Sequence, residues 1–291
     1  MRNIILGTDW WTDCDDCVAV RLLANAHKKG EINLRGVGIN GCMEYSAPSM
    51  SAFLENEKLS DIPIGIDREG TDFAGNHFAY QKPLCDYPHN IKSNDACEDA
   101  VGMYRRLLIN CEEKTDIIEI GFCQILSGLL ESENGIELVR EKVGTLYIMA
   151  GKWDEDGGLE HNFCNNDRSR RAGHILCEKC PVPIVFLGFE VGEPVLTGDG
   201  LPHDDLLYTA LYHHGHAENG RCSWDPMTAL LAVIGDAEKA GYRTVTGTAS
   251  VDAETGRNYF SEGEGLHSYV IKTEPDSFYR NEIQRRIAYM P

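Results

Sequence analysis

The chain has 291 residues, and its 46 acidic against 27 basic side chains leave a net charge of −19, which argues against a nucleic-acid backbone or an anionic membrane as partner. Apolar residues make up 42% of it, ample for a large core, yet no run approaches the roughly 20 residues of a membrane span. Its eleven cysteines are odd in number and scattered, and the first residues read as a core strand rather than an export signal, so a cytoplasmic protein with reduced thiols is expected.

Strand and helix signals alternate from the start. Asn3–Thr8 is predicted to be a strand, Asp16–Lys28 an amphipathic helix ended by Gly30, Asn33–Ile39 a strand running into Asn40, and Ser46–Glu57 a helix. Pro63–Ile66 reads as a short strand and Gly70–Ser93 as a long polar and aromatic loop without a period. A helix over Asp95–Cys111 and a strand over Thr115–Ile120 follow. Next come helices over Ile125–Glu131 and Ile136–Lys142 and a strand over Thr145–Met149. After a loop at Ala150–Asn166 stand a helix at Ser169–Cys177, a strand at Pro183–Gly188, and helices at Asp204–His214 and Asp225–Ile234. Two or three strand-like pieces lie beyond Tyr242, and a helix around Asp276–Tyr289 follows them. This alternation predicts one α/β domain over residues 1–291, an open and mainly parallel sheet with helices on both faces.

In such sheets a ligand sits outside the carboxyl ends of the strands, and the unusual residues fall there. The first strand runs into Asp9, Asp13, Asp15 and Asp16, four carboxylates in eight positions. Carboxylates this dense repel one another unless a cation sits among them, and an oxygen-only set suits Ca²⁺ or Mg²⁺. Asn40 follows the second strand, Gly121–Gln124 a middle one and Lys152–Asn162 a later one. A zinc site would need both CxxC pairs, but Cys14/Cys17 flanks the oxygen-rich cluster and Cys177/Cys180 runs into a strand start. The histidines of His213–His216 offer a weaker metal site, and His77, His161 and His203 read as surface or core residues. A haloacid-dehalogenase-like phosphohydrolase also begins with Asp at the end of strand one, but it needs a second Asp two residues later, where this chain has Trp11.

The run Ile4–Asp9, resumed at Asp15-Asp16, resembles the N-terminal Asp motif of the inosine-uridine-type nucleoside hydrolases, which cleave the N-glycosidic bond of ribonucleosides with a bound Ca²⁺. Val37-Gly-Ile-Asn40-Gly is similar to the family's Asn after strand two, and Ile120-Gly-Phe-Cys-Gln124 to its Gly-Pro-Leu-Thr-Asn segment. Tyr147-Ile-Met149 and Leu159-Glu160-His-Asn162-Phe resemble its Met-Gly-Gly and Ala-Glu-Phe-Asn signatures, and Ser223-Trp224-Asp225-Pro226 its late Asp-Pro motif. The resemblance covers most of the chain. It implies that Asp9 is both a calcium ligand and the base that deprotonates the attacking water, with Asp16, Asp225 and the main-chain carbonyl of Gln124 as further ligands. It implies that Asp15 holds ribose hydroxyls and that Asn40, Met149, Asp154, Glu160 and Asn162 stand at ribose-binding positions. The implied partner is a small ribonucleoside, the products are ribose and free base, and the implied assembly is a homodimer or homotetramer. A nucleoside-binding protein that keeps the calcium site without turnover is the alternative.

The chain departs from the family pattern in ways that bear on chemistry. Gly7 stands where Asp-x-Asp-x-x-x-Asp-Asp has its first Asp. The interval from Asp9 to Asp15 is two residues longer, which inserts Asp13, a further ligand or an N-cap for the following helix. The middle-loop Thr is Gln124, a change that a main-chain carbonyl survives. The position before the late Asp is His in pyrimidine-capable members and Trp in purine-specific ones, which stack the base. Here it is Trp224, so a purine nucleoside is expected, with Trp10, Trp11, Phe78 or Tyr80 as a second aromatic wall.

Overall fold

The order of strands in the main sheet explains where a ligand can bind. A computed structural model of the chain describes residues 1–11, 13–74 and 80–288. His77, Phe78 and Tyr289, named above, lie outside the described residues. β1 (Arg2–Thr8), α1 (Asp15–Lys28) and β2 (Ile32–Ile39) form the first crossover. α2 (Ser46–Asn56), β3 (Ile64–Ile66), α3 (Gln81–Leu84), β4 (Glu98–Asp99) and α4 (Ala100–Ile109) follow. β5 (Thr115–Glu119) leads through α5 (Gln124–Glu131) and α6 (Gly135–Lys142) to β6 (Val143–Met149). α7 (His161–Cys164) and α8 (Asp167–Lys179) return to β7 (Ile184–Leu187). Then come α9 (Phe189–Gly192), β8 (Leu196–Thr197), α10 (Leu206–His214), β9 (Arg221–Cys222) and α11 (Trp224–Ile234). β10 (Tyr242–Val251), β11 (Asn258–Glu262), β12 (His267–Lys272) and α12 (Asp276–Ile287) complete the described elements.

The main sheet has ten strands in the order β11-β10-β12-β7-β6-β5-β1-β2-β3-β4. Pairing is parallel from β12 to β4 and antiparallel only where β10 meets β11 and β12. From β1 the chain builds outward through β2, β3 and β4, then returns to place β5 on the other side of β1. The carboxyl ends of β1 and β5 therefore flank the point where the winding reverses, the usual place for a ligand crevice.

Period-two alternation sends β1 into two cores. Ile4 and Leu6 pack in the layer with α1, α10, α11 and α12, and Ile5 in the layer with α4, α5 and α8. Each such side chain contributes about 1.5–3 kcal/mol by leaving water, so register on this strand is strongly set. The CxxC pairs lie in opposite layers, Cys14 and Cys17 in the first, Cys177 and Cys180 in the second. They form no common site. Among the described residues no helix is long and apolar enough to cross a membrane.

Two boundaries differ from expectation. The helix predicted from Asp95 begins at Ala100, because Cys97 and Asp99 are extended and the Asp99 carboxylate caps the helix by accepting the Gly102 N–H at 2.8 Å. The segment expected to be a loop after Gly70 contains α3, whose Gln81 is buried. Its amide donates to the carbonyl of Trp10, so this excursion braces the turn after β1.

Candidate functional site

Beyond Thr8 the chain turns sharply. Trp10 adopts φ 50°, a left-handed conformation that costs a non-glycine residue on the order of 1 kcal/mol or more. Its surroundings hold it there: its N–H donates to Thr8 Oγ1 at 3.1 Å, its indole N–H donates to Ser49 Oγ at 2.9 Å, and its ring meets Phe53 and Tyr80 edge-on. Trp10 is thus a core residue rather than a wall of the site. The turn leaves Asp9 buried at the end of β1, with Oδ1 accepting the N–H of Trp11 at 3.1 Å.

Asp15 and Asp16 open α1, and Asp225 is the second residue of α11, which packs against it. One carboxylate oxygen from each lies within 4.8 Å of the others, and all three side chains are buried. Thr8 donates its hydroxyl to Asp16, and the Asp225 N–H donates to Asp15 Oδ2 at 3.0 Å. Helix N-termini favour negative charge here by about 0.3–1 kcal/mol each. That is small against repulsion of about 4 kcal/mol between like charges 4 Å apart at an effective dielectric of 20. Burial foremost, and then neighbouring carboxylates, push Asp15, Asp16 and Asp225 well above the ordinary Asp range, with Asp9 adding its charge to each. Among the described residues no salt bridge reaches any of these three. Such a group must hold protons or a cation.

Asp13 does not hold the N-cap position of α1. The Arg221 guanidinium grips its carboxylate at 2.6–3.0 Å, and its Oδ1 also accepts the N–H of Cys14 at 2.7 Å. Residue 14, with no side-chain cap bond, holds the N-cap position of α1. Both oxygens of Asp13 are bonded to a cation of the protein, in contrast to Asp15, Asp16 and Asp225. His214 and His216, whose Nδ1 atoms are 2.8 Å apart, form with Cys14 a second group of close donor atoms beside it.

The end of β2 is tied to the end of β5. Asn40 donates its amide N–H to Glu119 Oε1 at 2.8 Å and accepts the Phe122 N–H on Oδ1 at 3.0 Å. Burial pushes the Glu119 carboxyl up to about 8. Gln124 starts α5, and its main-chain carbonyl accepts the Ser127 hydroxyl at 3.0 Å. Both polar atoms of its side-chain amide are buried without a hydrogen-bond partner among the described residues. A further connected set stands at the end of β6: Glu160 accepts the N–H groups of Gly151 and Asn162 at 2.9 and 2.8 Å, and Asn162 donates to the Met149 carbonyl at 2.8 Å. Burial, opposed by those backbone donors, leaves the Glu160 carboxyl at about 7.

Asp154 does not join this set. It is exposed, its carboxylate is bound by Lys152 Nζ at 2.6 Å, and it lines a cleft of about 190 Å³ with Trp153, Asn258 and Phe260. The reason is local, since Lys152 and Asp154 precede the turn that brings Glu160 back to the strand end. Trp224 stacks on Phe189 at 5.3 Å, donates its indole N–H to the Phe189 carbonyl, and lies 5.0 Å from the Arg221 guanidinium. Across β1, Trp11, Phe73 and Phe122 form a separate aromatic cluster, with Phe73 and Phe122 stacked at 3.8 Å. Tyr80, by contrast, is wholly buried against Trp10.

Sequence reasoning missed Glu119, Arg221 and Phe189. A lone glutamate at the end of the apolar strand Thr115–Glu119 was a readable signal for the first, whereas the other two stand out only once α9, β9 and α11 are brought together.

Comparison with solved structures finds this fold over whole chains. A plant nucleoside hydrolase aligns over 99% of both chains with a TM-score of 0.75 and 16% identity. The inosine-uridine preferring nucleoside hydrolase from Bacillus anthracis aligns over 99% of both with a TM-score of 0.73 and 17% identity. A purine-preferring ribonucleoside hydrolase from Gardnerella vaginalis aligns over 98% of both with a TM-score of 0.72 and 16% identity. At these identities the likeness shows a shared fold. No family model and no curated protein matches the sequence.

Proposed function

We propose that the chain is a calcium-dependent ribonucleoside hydrolase with a preference for purine nucleosides. The observation that carries this reading is the group of three buried carboxylates, Asp15, Asp16 and Asp225, at the switch point of the sheet beside Asp9; among the described residues no protein cation forms a salt bridge with any of the three. The donor set is all oxygen, which fits a hard divalent ion. The Gln124 side-chain amide, buried without a hydrogen-bond partner among the described residues, adds polar capacity at the start of α5. Asp9, Asp16, Asp225 and the Gln124 carbonyl would hold Ca²⁺, which when bound would lower the pKa of a coordinated water and fix the ribose diol.

The chain's own groups account for the remaining chemistry. Asp15 accepts hydrogen bonds from ribose hydroxyls, and Asn40 and Asn162 present amides to the sugar. Asp9 takes the proton of the attacking water as its oxygen bonds to C1′. The C1′–N bond breaks with its electron pair passing to the base, and the positive charge that builds on the ring lies among carboxylates. The base leaves as a ring nitrogen gains a proton from solvent. Trp224 and Phe189 offer flat apolar surface suited to a purine. Solved structures of the same fold carry names that include purine-preferring members, which supports this choice. We further propose a cytoplasmic protein, a reading supported by its eleven unpaired cysteines among the described residues, and a homodimer or homotetramer as its assembly.

Reducing-sugar release from a panel of nucleosides, with and without EDTA, tests the reading. Inosine and guanosine should be hydrolysed only while a divalent ion is present. Binding of inosine without any hydrolysis would make the chain a nucleoside-binding protein, and uridine turned over as well as inosine would remove the purine preference.

A further inference from the structure

The geometry points to Glu119 as a positioning residue for Asn40, with its carboxylate occupying the space that glycine leaves open at position 7. This inference rests on the proposed nucleoside site, of which Asn40 is a part. β1 and β5 pair in parallel with Gly7 opposite Glu119. A Cβ added to Gly7 would lie 2.2 Å from Glu119 Oε2, 2.6 Å from Cδ and 2.8 Å from Oε1. The two positions cannot both carry a side chain in this arrangement. Glu119 cannot easily swing aside, because it is wholly buried and Oε1 is held by the Asn40 amide at 2.8 Å and the Gly121 N–H at 3.0 Å.

A single carboxyl between Ile118 and Ile120 in a buried strand is costly unless something uses it. Its use here is visible. An Asn amide can be turned end for end at little cost unless its neighbours distinguish donor from acceptor. Glu119 Oε1, which also takes the Gly121 N–H, acts as an acceptor and the Phe122 N–H is donor-only, so together they set Asn40 with Nδ2 toward β5 and Oδ1 toward the loop after it. The Asn40 N–H donates to the Thr8 carbonyl at 2.9 Å, one residue before Asp9. Glu119 thus ties the ends of β1, β2 and β5 into one frame. Glu119 Oε2 has no partner among the described residues, and it is the atom nearest the absent side chain of position 7. The chain carries on β5 the carboxylate that the related motif carries on β1, and the two are alternatives for one space.

The test is a cycle of Gly7→Asp, Glu119→Ala and the double variant in the full chain. Melting temperature reads the shared space: Gly7→Asp alone lowers it, and the same change in the Glu119→Ala background lowers it far less or raises it. KM for inosine reads the positioning: Glu119→Ala raises it at least ~10-fold, the scale of one buried hydrogen bond, while kcat and calorimetric calcium affinity change by less than ~3-fold. The double variant recovers most of the lost KM. The side-chain amide resonances of Asn40, identified by their loss in Asn40→Asp, shift in Glu119→Ala and return toward wild type in the double variant. Additive melting temperatures, or Asn40 resonances untouched by Glu119→Ala, overturn the role. If the wild-type protein neither hydrolyses nor binds inosine, the proposed function falls, and the amide resonances still decide on Glu119. Should Glu119→Ala not fold, Glu119→Asp, one methylene shorter, carries the same comparison.

Discussion

Helix α1 buries charge in two places and settles each differently. In its middle, Arg21 is fully buried and bonds Asp205 at 2.6 and 2.9 Å and Glu57 at 2.6 Å, while Lys28 reaches the same Glu57 at 2.8 Å. At its N-terminus, Asp15 and Asp16 meet Asp225 beside Asp9, and among the described residues no salt bridge reaches Asp15, Asp16 or Asp225. Both groups forfeit hydration, which costs several kcal/mol per ion in a protein interior. The Arg21 group recovers that cost within the chain and is a brace joining α1, α2 and α10. The Asp group does not recover it, and an imbalance held in place by a rigid fold is the signature of a site built for something from outside.

The largest expected effect comes from removing a member of the unbalanced group. Asp9→Ala should lower nucleoside hydrolysis at least ~10³-fold, on the scale of losing a positioned base together with a metal ligand. Because one repulsive charge is removed, its melting temperature without calcium should be equal to or above that of wild type. Activity within a few-fold of wild type would take Asp9 out of its role. Arg21→Met should do the reverse. It strands Asp205 and Glu57 in the core, so stability should drop by about 3–5 kcal/mol, while kcat per folded molecule stays the same. Denaturant unfolding and initial-rate assays separate the two cases, and a loss of kcat in Arg21→Met would dissolve the distinction between brace and site.

How far this contrast was readable beforehand differs between its halves. The carboxylates at Asp9, Asp15 and Asp16 are local in sequence, and the strand-to-helix turn that gathers them follows from apolar patterning. Asp225 needed a family resemblance, because nothing local says that α11 docks its N-terminus on that of α1. The partner of Asp13 was hidden for the same reason: Arg221 arrives from 208 positions away. Glu119 was overlooked because periodicity reports burial, not what a buried polar atom bonds. The strand order itself was legible only as "mainly parallel"; which strand lies beside β1 depends on crossover packing that no short window contains. The ion pair of Asp154 with Lys152 was equally illegible, since spacing does not tell which way an exposed loop carboxylate turns.

The smallest effect is the most specific to the contrast, because it varies with pH. Asp15, Asp16 and Asp225 are raised by burial and by one another, and burial chiefly lifts Glu160 to about 7 and Glu119 to about 8. Each folded-state value lies above the ordinary carboxylate value of about 4. The folded protein therefore binds more protons than the unfolded chain between those limits, and without a cation its stability falls as pH rises from about 4.5 toward 8. Each such carboxyl contributes at most on the order of 1 kcal/mol per pH unit. A divalent ion binds the ionised form, so its stabilisation should grow as the protons leave. Glu119 and Glu160 lie outside the three-carboxylate group and keep their part of the slope with or without calcium. The gap in melting temperature between calcium-loaded and EDTA-treated protein should be small at pH 5 and widen steadily to pH 8. Arg21→Met should lower both curves and leave that gap intact, since its charges are balanced elsewhere on α1. A gap of equal size at pH 5 and pH 8 would mean that calcium stabilises the fold from some other place, and that the Asp group holds protons rather than an ion.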